Sequence, residues 1–146
     1  MRKDKTKNVV VAGIVAQPLS YLELSLKESI EFKTHSDEVG RVVSPGAWMF
    51  HKGLTFPKRS SPLKLLKDLY GIWYVSTQLG IFSETALIEF KELTLTHTAW
   101  SKTLTKNLKN WRENAAPIDW SKLEAQDPSG RLKKLNFQRV LDKLHQ

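Results

Sequence analysis

Two different apolar periods divide this chain. From Asn8 to Val15 apolar, largely β-branched residues run almost unbroken, which predicts a buried strand. Pro18 then suits the first turn of a helix, along which Leu19, Leu22 and Leu26, with Tyr21 beside them, recur at helical spacing. After Ser29 the period falls to two. Ile30, Phe32 and Thr34 alternate with Glu31 and Lys33, a polar His35-Ser36-Asp37-Glu38 turn follows, and Val39, Arg41 and Val43 return, so an antiparallel hairpin is expected. Gly40 marks a bulge or a close approach within it.

From Ser44 the pattern is helical. Ser44-Pro45 reads as an N-cap followed by proline at the first helical position, Trp48, Met49 and Leu54 supply a partial apolar face, and Phe56-Pro57 ends the element. Pro62 opens the next helix, whose Leu63, Leu66, Leu69, Tyr70 and Trp73 form a stripe expected to pack on the sheet, with Gly80 as its C-cap. Further helices are expected over Ser83 to Leu95, roughly Thr98 to Trp111, and Gly130 to Leu144. Glu113 to Ser129 contains two prolines and many polar residues, so it reads as a connection that Trp120 pins down. The fold class expected is α+β, a small mixed or antiparallel sheet followed by a helical C-terminal half. One domain over 1–146 is expected: a strand and hairpin region at 8–44, a helical region at 45–111, a connection at 112–130 and a last helix at 131–144.

Composition narrows the function. With 23 Lys and Arg against 15 Asp and Glu, the net charge is +8, which favours polyanionic partners such as nucleic acid or a nucleotide, or an acidic protein surface. Zero cysteines exclude disulfides and thiolate metal sites and suit a reducing, cytoplasmic setting. No apolar run approaches the ~20 residues of a membrane span, so no membrane partner is expected. The basic start from Met1 to Lys7 followed by an apolar run superficially resembles a signal peptide, but the β-branched Val9-Val10-Val11 favours the strand. The four histidines show no metal-ligand spacing, and the seven glycines are scattered singly, so zinc sites and phosphate-cradling loops are not expected.

Two groups of residues carry candidate chemistry. His51-Lys52, Arg59, Lys64 and Lys67-Asp68 put several cations and one carboxylate on two consecutive helices, where they could converge on a phosphate. The plainer reading is solvated surface, with Asp68 pairing Lys64 at i, i+4 for only ~0.3 kcal/mol. The second group interleaves bases with aromatics, Trp100, Lys102, Lys106, Lys109, Trp111 and Arg112, and is followed by a cluster containing Arg131 and Lys134. Lys102, Lys106, Lys109, Arg112, Arg131 and Lys134 are the candidates for contact with a nucleic-acid backbone.

The order Ala16-Gln17-Pro18-Leu19, Tyr21-Leu22, a hairpin, Val42-Val43-Ser44-Pro45, His51-Lys52, Arg59 and Lys64-x-x-Lys67-Asp68-Leu69 resembles the later half of a bacterial nucleotidyltransferase-fold family related to abortive-infection nucleotidyltransferases. The resemblance covers about residues 8–80. It implies a fold like the distal part of that family's, and Mg²⁺-dependent transfer of a nucleotidyl group from a nucleoside triphosphate. It would place Lys52, Arg59, Lys67 and Asp68 against the nucleotide, the lysines as point charges, Arg59 gripping a phosphate and Asp68 orienting a lysine or the ribose. The family's Gly-Ser turn and Asp-x-Asp pair, which hold Mg²⁺, do not occur before this segment. The expectation is therefore a partial nucleotidyltransferase-like protein with no catalytic residue of its own, whose Mg²⁺ site would be completed by a partner chain, with a homo-oligomer also possible. The alternative is a non-catalytic basic module that binds nucleic acid or another protein.

Overall fold

A computed structural model describes residues 9–11, 14–16 and 21–145, the first two segments as backbone. It has the α+β arrangement, with short antiparallel strands first and a helical C-terminal half after them. Strands β1 (Val9–Val11) and β2 (Ile14–Ala16) pair with each other, Val9 opposite Ala16. The single strand expected from Asn8 to Val15 is thus two, because β-branched content registers strand preference and is blind to a reversal of the chain. Asn8 and the expected helix start at Pro18 lie outside the described residues. Helix α1 spans Leu22–Lys27.

The expected hairpin forms from β3 (Ser29–Lys33) and β4 (Val39–Val43), in register with Phe32 opposite Gly40. No bulge interrupts that register. Instead the ring of Phe32 lies over Gly40, where a Cβ would come within 2.7 Å of it. The two ribbons are separate, so the small sheet is a pair of two-stranded units.

Helix α2 (Pro45–Thr55) is the centre of the helical body, with Ala47, Met49, Phe50 and Leu54 buried and α1, α3, α4 and α5 packed around it. Two glycines one heptad apart let the neighbours approach closely. A Cβ at Gly46 would strike the α4 backbone at Ala86, and one at Gly53 would strike Leu104 of α5. After a 3-10 turn at Phe56–Lys58 come α3 (Pro62–Thr77), α4 (Ile81–Thr96), α5 (Thr98–Asn114), α6 (Pro117–Glu124) and α7 (Lys134–Leu144).

Three expectations need correction here. Among the described residues the stripe of α3 packs chiefly on α2, α4, α6 and α7 and not on the sheet, since the two-stranded ribbons are only three to five residues long. Leu63, at the start of that stripe, is exposed. Gly80 belongs to the N-terminal side of α4, while Gln78 closes α3. The connection at 112–130 holds α6, started by Pro117 and by Asp119, whose carboxylate accepts from the Ala116 N–H. Trp120 anchors that helix as expected, buried against Trp111 and Phe137 at ring separations of 4.7 and 6.2 Å.

The ends of α2 are held from elsewhere in the fold. Ser44 precedes the helix in extended conformation, but its hydroxyl donates to the Glu89 carboxylate of α4, whose second oxygen accepts the Gly46 N–H at 2.9 Å. At the other end Asn107 of α5 donates to the carbonyls of Gly53 and Leu54 at 3.1 and 3.2 Å. Groups that a helix terminus leaves unpaired are therefore satisfied by two other helices, and the carboxylate sits at the positive end of the helix dipole.

Candidate functional site

Lys52, Arg59 and Asp68 come together. Asp68 lies on the inward side of α3 and is 7 % exposed, so its charge requires partners. Arg59, just past the 3-10 turn, supplies Nε to Oδ2 at 2.6 Å and Nη2 to Oδ1 at 3.3 Å. Lys52 of α2 places Nζ 3.1 Å from Oδ1, with its ammonium 5.5 Å from the centre of the Trp48 ring. The bond to Asp68 stabilises the charged guanidinium and raises the Arg59 pKa. Asp68 thus pairs with these two and not with Lys64. It ties α2, the 3-10 turn and α3 into one unit.

Lys67 stands apart, exposed, with no ion pair among the described residues. The cluster that does form carries two cations on one carboxylate, a net single positive charge. Both Asp68 oxygens are engaged by nitrogen donors, so the cluster as built does not fit a Mg²⁺ ion, which needs free hard oxygen ligands. Among the described residues no group of three or more His, Cys, Asp and Glu side chains is placed to hold a metal. His51 is half-buried on α2.

The second candidate group divides in two. Lys102, Lys106 and Lys109 follow one another at i, i+4 and i+7 and are exposed on the side of α5 opposite Leu104 and Trp111. With Ser101, Thr105, Asn110 and Glu113 they line a shallow depression. Lys102 and Lys106 have no ion pair among the described residues, and Lys109 has only a loose one, 3.9 Å from Glu113. Arg112 is engaged elsewhere, donating Nη1 to Asp142 of α7 at 2.6 Å. Arg131 and Lys134 sit at the α6–α7 junction. Arg131 donates Nε to the Ser129 hydroxyl, and the Lys134 ammonium lies 5.1 Å over the Trp120 ring.

The interleaved aromatics do not join the lysines. Trp100 stacks on His97 at 4.8 Å and meets the Tyr21 ring edge-on at 5.2 Å, while Trp111 packs against Trp120 and Phe137. Both are half-buried in these contacts and turned away from the lysine face. What α5 presents outward is charge on flexible stems, without a stacking platform.

Sequence reasoning missed Asp127. Its carboxylate accepts from the Ser129 hydroxyl at 2.6 Å and from the N–H groups of Ser129, Arg131 and Leu132 at 3.1, 2.6 and 2.8 Å. The Ser129 hydroxyl contributes most to stabilising the ionised form, and the pKa is lowered to about 2. The signal was present in Asp127-Pro128-Ser129-Gly130, an Asp-Pro turn ending in a glycine that here has a φ of 68°. It is a structural site, fixing the entry to α7. No helix among the described residues is long and apolar enough to cross a membrane. The chain matches no family model, no curated protein and no solved structure, so the meaning of these surfaces rests on their own geometry.

Proposed function

We propose that this protein is a non-catalytic, basic module that binds the phosphate backbone of nucleic acid through α5, working in the cytoplasm, where a chain without cysteine is at home. The observation that carries the reading is the lysine stripe: three exposed ammonium groups on one helical face, two of them without an acidic partner among the described residues, on a chain of net charge +8. Point charges on flexible stems neutralise phosphates without reading bases, so sequence-independent binding follows. Trp100 and Trp111, half-buried and packed on His97, Tyr21, Trp120 and Phe137, argue against base stacking as a second source of affinity. Engagement of a nucleotide at Lys52, Arg59, Lys67 and Asp68, in the manner of a nucleotidyltransferase completed by a partner chain and Mg²⁺, is the weaker reading. There Lys52 and Arg59 are already paired with Asp68.

The test is a fluorescence-anisotropy titration of the full chain against mixed-sequence 20-mers of duplex DNA and single-stranded RNA over a range of salt. Replacing Lys102, Lys106 and Lys109 together with alanine is expected to weaken binding to both probes. It should also make the slope of log affinity against log salt shallower by about 2 to 3. An unchanged slope, or an affinity indifferent to salt, refutes the proposal.

A further inference from the structure

Helix α4 is apolar on two opposite faces, and the described residues cover one of them. Ala86, Phe90 and Leu93 turn inward and are buried. On the opposite side Ile81, Ile88 and Leu95 recur one heptad apart and are 72, 63 and 73 % exposed. A repeated seven-residue spacing keeps side chains on one line down a helix, the geometry by which two helices pack along a seam. Solvent gains nothing from such a line, and isolated exposed apolar residues do not normally fall into register.

The polar residues beside the line specify the occupant. Glu84 and Lys91 flank it on one side, Thr85 and Glu92 on the other, and none of these side chains has an ion pair among the described residues. A two-fold axis through Ile88 reverses the helix, sets each residue about level with the one equally far on the other side of that centre, and keeps each flank of the line against the same flank of the other copy. Ile88 then meets Ile88, and Ile81 meets Leu95 at both ends. Glu84 falls beside Lys91 of the other copy twice over, and Thr85 falls beside Glu92. A parallel arrangement would bring the opposite flanks together, Lys91 beside Glu92 and Glu84 beside Thr85, and would set like ends of the two helix dipoles side by side. We propose that the outward face of α4 is an isologous, antiparallel interface between two copies of this chain, centred on Ile88. The proposal is independent of what α5 binds.

One helix pair covers an area at the lower end for specific interfaces, so a reversible dimer with a dissociation constant of about 1 to 100 µM is expected. Sedimentation of the full chain across that range should show it, and Ile88→Glu, which would set two carboxylates on the axis, should abolish it. Charge reversal provides the check on register. Glu84→Lys and Lys91→Glu should each weaken the dimer about tenfold or more, and the double reversal should restore it. The chain has no cysteine, so single cysteines report geometry directly. Under mild oxidation Ile88→Cys should cross-link to itself, whereas Ile81→Cys should cross-link to Leu95→Cys in a mixture and neither to itself. A monomer at several hundred micromolar, a dimer indifferent to Ile88→Glu, or self-linking at positions 81 and 95 overturns the proposal. The first outcome would leave a different protein as the occupant of the stripe.

Discussion

At Asp68 three charged residues that look like a phosphate site prove to be each other's partners. A carboxylate buried on α3 is stable only because Arg59 and Lys52 reach it, and removing it would leave two cations side by side in a partly dry place. Asp68→Asn is therefore expected to lower the free energy of unfolding by about 1 to 3 kcal/mol in denaturant titration, whereas Lys67→Ala should leave it unchanged. Asp127 makes a second prediction, in pH. Its folded pKa is about 2, below the ordinary 3.8, so its contribution is complete above about 3.8 and is lost as pH falls through about 2. Measured between pH 5 and 2, the stability of Asp127→Asn should fall less steeply than that of the parent. Ion pairing at Asp68 was half legible in the sequence, since the three residues were singled out together. The direction of the pairing was not, because a local pattern shows only the i, i+4 neighbour, Lys64, and a partner from another helix is chosen by packing.

Among the elements, periodicity served well where the apolar face is continuous. The β3–β4 hairpin and helices α2, α4, α5 and α7 appear where the sequence places them, with ends shifted by a few residues. Helix α6 was hidden, since its eight residues give barely two turns and two prolines in the segment suggest a loop. Harder still to see were the caps of α2. Glu89 lies 45 residues beyond Ser44 in the chain, and no spacing rule links them. Glu89→Ala and Asn107→Ala are each expected to cost about 0.5 to 2 kcal/mol, as the loss of a helix cap does. The two act at opposite ends of α2, so their effects in chemical denaturation should add in the double variant to within about 0.5 kcal/mol. A much smaller sum would mean that water replaces them without loss.

At the scale of the whole molecule, the buried side chains form one continuous cluster from Leu24 in α1 to Leu144 in α7. The C-terminal part joins it through the rings of Trp111, Trp120 and Phe137. Truncating Trp120 to alanine should cost about 3 to 5 kcal/mol, because a large buried ring leaves a cavity its neighbours cannot fill. Calorimetry should show the loss in a single transition, and a separate early transition for the C-terminal helices would contradict the shared core. An excess of Lys and Arg was legible from composition alone. Its arrangement was not, because the sequence does not say which cations pair with Asp68 or Asp142 and which remain without a close partner on the α5 surface.

A last consequence concerns the order of assembly. The segment 45–55 carries glycines at two of its eleven positions and lacks a side-chain cap of its own, so by itself it is a poor helix. Its termini become satisfied only when residues more than forty positions downstream arrive. The innermost helix of the body is thus expected to be a product of long-range closure and not a nucleus for it, with the speed of folding set by how quickly α4 and α5 find their places around an unfinished centre.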